Sequence, residues 1–158
     1  MEEEDLHVYL LLDTSRSMGF GSPTKLEWSM KAAAALAYIA LCSGDRVQLF
    51  AHREGQGEKS RIYRGRGCAV EAFEWLSTLK PDGGTGLTAA AQWLLSTVPA
   101  PGITFLISDL LCPDWESAVA RLGAGGGDCC AMQVFSPEEF EPTARGDLRL
   151  VDSETGQA

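Results

Sequence analysis

Basic residues are scarce: 13 Lys and Arg stand against 22 Asp and Glu, for a formal net charge of −9. A surface of that sign lacks the patches that neutralise phosphates, so nucleic acid is excluded as an expected partner. The five cysteines (Cys42, Cys68, Cys112, Cys129, Cys130) form no Cys-x-x-Cys pair, and His7 and His52 are the only histidines. Zinc therefore lacks its usual ligand pattern. The odd thiol count, with no signal peptide visible, reads as reduced cysteines in a cytoplasmic setting. Cys42 and Cys129/Cys130 lie in apolar runs and are expected as small core residues. No apolar stretch is long enough for a bilayer: Ala32–Cys42 is eleven residues, expected as the sheet-facing side of a helix. Neither a P-loop nor a Gly-x-Gly-x-x-Gly fingerprint is present, which removes the common nucleotide-binding motifs.

What remains is an ordinary globular composition, 45% hydrophobic and 22% charged over 158 residues. One domain spanning 1–158 is expected, burying about two-thirds of its unfolded surface. Its first five residues, with Glu2-Glu3-Glu4-Asp5, are expected as a solvated acidic tail.

Leu6–Leu12 is an apolar run rich in Val, Tyr and Leu that stops at Asp13, and it reads as a strand buried on both faces of a parallel sheet. Asp13, Ser15 and Ser17 then fall at the carboxyl end of that strand, where open α/β sheets bind ligands. Oxygen ligands at that spacing suit a hard cation such as Mg²⁺. The tripeptide pattern alone equally fits a hydrogen-bonded turn before a helix. Two further stretches change the balance. Ile103–Ser108 repeats the first strand and ends at Asp109, and Pro81-Asp82-Gly83-Gly84-Thr85-Gly86-Leu87 is a glycine-rich loop before a helical run, Thr88–Val98. Thr85 could cap that helix, but glycines on both sides permit a close backbone approach that capping does not require.

An Asp-x-Ser-x-Ser loop, a Thr in a glycine-rich loop and a strand-final Asp, in that order, resemble the von Willebrand factor A domain and its metal-ion-dependent adhesion site. On that resemblance Asp13, Ser15, Ser17, Thr85 and Asp109 match the metal-ligand positions. Leu10–Met18, Ala34–Leu41, Gly44–Val47 and Asp152–Gly156 are further similar to a bacterial family, domain of unknown function 58, often encoded beside MoxR-type AAA+ ATPases. Gly86 departs from the pattern, since relatives often carry Asp or Asn after the threonine. Full-length members usually have a further N-terminal segment, sometimes with membrane helices. The chain is thus expected to be a short member or an excised domain.

The resemblance implies a Rossmann-like three-layer α/β sandwich: a mainly parallel six-stranded sheet, one short antiparallel edge strand and helices on both faces. It also implies a non-catalytic module in which Mg²⁺, Mn²⁺ or Ca²⁺ bridges to a Glu or Asp of a partner, a MoxR-type ATPase or its client. Ser15, Ser17 and sometimes Thr85 would touch the ion, with Asp13 and Asp109 acting largely through water. Neutral hydroxyls leave the ion electrophilic, ready for an outside carboxylate. The rival is an Mg²⁺-dependent phosphoryl-transfer or hydrolytic enzyme using the same acids. Against it, Ser15 stands where a phosphate-transferring aspartate enzyme would carry a second Asp.

Along the chain, helices are expected from Pro23/Thr24 to about Cys42, over Val70–Leu79 with Phe73, Leu76 and Leu79 inward, and over Asp114–Leu122. Further strands are expected at Arg46–Ala51, Arg61–Tyr63, Cys129–Phe135 and Leu148–Val151, with Glu54–Ser60 as a connection and Pro137–Phe140 as a turn. Arg61, Arg64 and Arg66 would serve either as a charged sheet edge or as contacts to an acidic partner. Leu110, Leu111 and Trp115 follow Asp109. Packing under the next helix is favoured for them over an exposed docking patch.

Overall fold

The computed structural model describes residues 6–141. The expected strand at 148–151, the acidic tail 1–5 and the Asp152–Gly156 motif lie outside these residues.

Six strands form one sheet. β1 (His7–Asp13) is central, with β2 (Arg46–Arg53) on one side and β5 (Ile103–Ser108), then β6 (Asp128–Gln133), on the other, all parallel. Two short strands, β3 (Gln56–Lys59) and β4 (Tyr63–Arg64), pair antiparallel with β2. The antiparallel edge is therefore where it was expected, but divided in two. The Glu54–Ser60 connection contains β3, because Glu54-Gly55 alone makes the turn, with Gly55 at φ +71°.

Alternation sorts the core onto the two faces of the sheet. Val8, Leu10 and Leu12 of β1 pack with Val47, Leu49 and Ala51 beneath α1 (Lys25–Ser43) and α2 (Ala69–Ser77). Tyr9, Leu11, Phe50 and Leu106 pack beneath α3 (Leu87–Thr97) and α4 (Trp115–Ala124). α1 starts at a reciprocal cap, in which Thr24 Oγ1 accepts from Glu27 N–H at 3.1 Å and Glu27 Oε2 from Thr24 N–H at 2.7 Å. It presents Ala33, Ala37 and Ala40 to the sheet, side chains small enough for close approach. Gly44, at φ +90°, ends it. A short helix, α5 (Pro137–Phe140), follows β6 where a turn was expected.

Two packing expectations need correction. Phe73 of α2 is not inward: Ala69, Ala72 and Leu76 occupy the sheet-facing positions, and Phe73 lies half-exposed beside Tyr38. Of the thiols expected in the core, Cys129 packs against the second cluster, whereas Cys42 and Cys130 do not. Ala40 and Leu41 face the sheet, so Cys42, a further 100° around the helix, is exposed. Cys129 is half-buried and Cys130 exposed on β6. Cys112 behaves differently. Burial, and then the Asp114 carboxylate beside it, push its thiol up to about 12. Because the thiolate is the reactive form, iodoacetamide at pH 8 should modify Cys42 and Cys130 first and Cys112 last, as read by peptide mass spectrometry.

Candidate metal centre

Strand order fixes where a site can form. The chain leaves β1 toward β2 on one side and returns for β5 on the other, so the connections diverge between β1 and β5. That divergence is the switch point at which open α/β sheets bind ligands. Asp13 ends β1 and Asp109 immediately follows β5. Both are buried, at 2% and 1% exposure.

Neighbouring groups hold Asp13 on two sides. Its Oδ1 accepts from Ser15 N–H at 2.9 Å and its Oδ2 from the Ser108 hydroxyl at 2.7 Å. Burial raises its pKa; the bonds from Ser108 and Ser15 pull it down again, and the Asp109 charge adds to the rise. A buried carboxylate held this way gains from a nearby cation. The Asp13–Ser17 loop turns back through a short 3₁₀ turn (Arg16–Gly19), which leaves the Ser15 and Ser17 hydroxyl oxygens 3.1 Å apart. Ser15 is fully buried and Ser17 half-buried.

The glycine-rich loop is tied to this one through its backbone. Arg16 N–H donates to Gly83 O at 2.9 Å, Asp82 N–H to Thr14 O at 2.9 Å, and Glu54 N–H to Gly84 O at 2.7 Å. A Cβ on Gly84 would stand 2.5 Å from Glu54 Oε2, the far end of a flexible side chain. Thr85 is half-buried in this loop and does not cap the helix. α3 begins at Leu87 behind Gly86, and Asp114 Oδ2 accepts from Thr88 N–H at 2.8 Å in the capping role.

Three residues missed in the sequence complete the surroundings. Ser108 bridges to Asp13. Lys25, at 1% exposure, donates to Asp109 Oδ2 at 2.8 Å and to Glu139 Oε1 at 2.6 Å. Glu139 also closes the N-terminal cap of α5, where its Oε2 accepts from Ser136 N–H at 3.0 Å. Burial alone would lower the Lys25 pKa, but the bonds to both carboxylates overcome it and hold the ammonium above its ordinary value. The other Asp109 oxygen, Oδ1, accepts from Leu111 N–H at 3.2 Å. Between them Leu110 adopts φ +54°, a left-handed conformation rare for a branched side chain and costing about 1–3 kcal/mol. Leu110 packs against the second core, as expected, whereas Leu111 and Trp115 are exposed. Only Ser108 left a trace in the sequence, as the polar residue breaking an apolar strand just before the acid.

The donor set can be tested against a divalent cation. Octahedral Mg²⁺ binds oxygen at about 2.0–2.1 Å, which places adjacent ligand oxygens roughly 2.9 Å apart. The 3.1 Å between the Ser15 and Ser17 hydroxyls lies close to such an edge. Each carboxylate oxygen of Asp13 keeps a lone pair beyond the bond it already accepts. The residues fit. Among the described residues no group of three or more His, Cys, Asp or Glu side chains is placed to hold a metal ion.

His52 is the penultimate residue of β2, beside this loop, and its carbonyl accepts from Thr14 N–H at 2.9 Å. Its ring is buried near Trp93, and burial lowers its pKa below the ordinary 6.5. The unfolded chain takes up this proton near pH 6.5 and the fold only at lower pH. The contribution is therefore complete above pH 6.5 and is lost as pH falls through the folded value. Urea unfolding from pH 8 to pH 5 should show a shallower decline for His52→Gln than for wild type.

Sheet order, helices on both faces and an acid-and-hydroxyl cluster at the switch point define a von Willebrand factor A fold. Solved structures agree. BatB from Bacteroides thetaiotaomicron superposes with a TM-score of 0.62 at 20% identity, over 81% of this chain and 66% of that one. An aerotolerance-related membrane protein from Bacteroides fragilis gives 0.63 at 18% identity, over 90% and 77%. The VWA domain of SpRpn10 gives 0.50 at 13% identity, over 92% and 100%. Within that fold the chain belongs to the family described as "Protein of unknown function DUF58", whose model matches residues 1–158. Uncharacterized proteins of Mycobacterium bovis (Mb1516) and Mycobacterium tuberculosis (Rv1480) are 26% identical over 160 residues, 98% of this chain. The chain spans about half the length of these curated relatives.

Proposed function

We propose that the chain is a non-catalytic, metal-dependent protein-interaction domain. Asp13, Ser15, Ser17, Thr85 and Asp109 would hold Mg²⁺, with Mn²⁺ or Ca²⁺ as alternatives. The observation that carries this reading is the pair of serine hydroxyls 3.1 Å apart at the switch point, next to the buried Asp13 carboxylate that the Ser15 N–H holds. A bound dication supplies an electrophilic vacancy that a carboxylate from another protein can fill. This chain's part is positional. The Ser15 N–H and the Ser108 hydroxyl fix Asp13, and the three backbone bonds among the loops fix the hydroxyls beside it.

The partner would offer a Glu or Asp and belong to a MoxR-type AAA+ ATPase system, as the ATPase itself or a client. A cytoplasmic setting is proposed, with tethering through a segment outside this chain, since one neighbour in fold is named a membrane protein. Among the described residues no helix is long and apolar enough to cross a membrane, and no membrane contact or nucleic acid is assigned to this segment.

The test pairs a purified MoxR-type ATPase from the source organism with this chain. Retention in Mg²⁺ and release by EDTA, both lost in Ser15→Ala/Ser17→Ala, are expected. Metal-independent retention would overturn the metal bridge. Turnover of a phosphate ester by the Mg²⁺-loaded chain, lost in Asp13→Asn, would favour the enzymatic reading instead.

A further inference from the structure

The Asp109 carboxylate does not face its loop unaccompanied. Its Oδ2 is bonded to the Lys25 ammonium and its Oδ1 to a backbone N–H. The ammonium cannot drift away, because Lys25 opens α1, is enclosed, and is held from behind by Glu139, itself fixed in the α5 cap. A positive charge is thus built in one hydrogen bond from a residue proposed to serve the cation.

We propose that Lys25 sets the cation affinity of this site, holding Asp109 out of direct coordination and placing a fixed positive charge against the incoming dication. The inference rests on the metal-binding reading above and names its regulation. Two effects act in the same direction. A carboxylate oxygen bonded to an ammonium is a poorer metal ligand, and like charges in a buried site repel with little screening. The ion is bound more loosely, but with less of its charge cancelled, which favours a carboxylate arriving from outside.

The experiment titrates Mn²⁺ alone into wild type, Lys25→Met, Lys25→Gln and Lys25→Arg, each checked for folding by circular dichroism. Affinity is read by calorimetry and by the paramagnetic resonance of free Mn²⁺. Lys25→Met and Lys25→Gln should bind at least tenfold more tightly, and Lys25→Arg should match wild type because it keeps the charge. Lys25→Gln retains an amide donor for Asp109 and carries the test if Lys25→Met does not fold. A merely structural lysine would give the opposite sign, since a damaged site binds more weakly. Unchanged or weaker affinity in the neutral variants, with wild type binding, overturns the role of Lys25 and leaves the metal site standing. Binding by the neutral variants alone supports the role and removes the metal from the wild-type reading. No Mn²⁺ binding in any of the four overturns both.

Discussion

Without divalent cation, Lys25→Met should lower the unfolding free energy by about 3–5 kcal/mol, the usual cost of removing one partner from a buried ion pair. For a chain of this length that is a fall in melting temperature of roughly 10 °C. Lys25 and Asp109 are both almost fully enclosed, and the substitution leaves the Asp109 charge with one backbone N–H for company. The double variant Lys25→Met/Asp109→Asn should recover much of the loss, because the uncompensated charge is gone. Urea unfolding in EDTA checks both. A single variant within 1 kcal/mol of wild type, or a double variant no better than the single, would show that the pair does not anchor this rim of the sheet.

Adding Mg²⁺ to wild type should act in the other direction. At about a hundred times its dissociation constant, an ion that binds only the fold contributes roughly 2.7 kcal/mol, or about 5–10 °C in melting temperature. Asp13→Asn should abolish that gain. Asparagine matches the carboxylate in shape and can still accept from the Ser15 N–H or the Ser108 hydroxyl, but it brings no charge to the ion. Thermal melts with and without Mg²⁺, repeated with Mn²⁺ and with EDTA, give the comparison. A melting temperature that ignores both ions, or rises equally in wild type and Asp13→Asn, argues that this cluster holds no cation.

The fold was legible because its signals are local and repeated. Two apolar strands ending in acids, an alanine-rich helix and punctuation at Gly44 and Pro81 are each readable within a dozen residues. Errors arose where a neighbour decides the outcome. Phe73 and Cys42 look like core residues by composition, yet the angle around each helix turns them outward. Thr85 stands just before the start of α3, yet Asp114, 26 residues beyond Thr88, is the side chain that accepts from the Thr88 N–H. The candidate ligands could be picked out because their order along the chain is distinctive. Their control could not. Lys25 is 84 positions from Asp109 and 114 from Glu139, and nothing in a helix-opening Thr-Lys-Leu distinguishes a buried lysine from one in water.

The three amide-to-carbonyl ties among the first loop, the end of β2 and the glycine-rich loop bear on the thermodynamics of any visitor. Segments already immobilised have surrendered their conformational freedom during folding, so an arriving ligand need not restrain them a second time. Such an opening behaves as a rigid socket, and its selectivity then comes from fit rather than from how readily the surrounding chain rearranges.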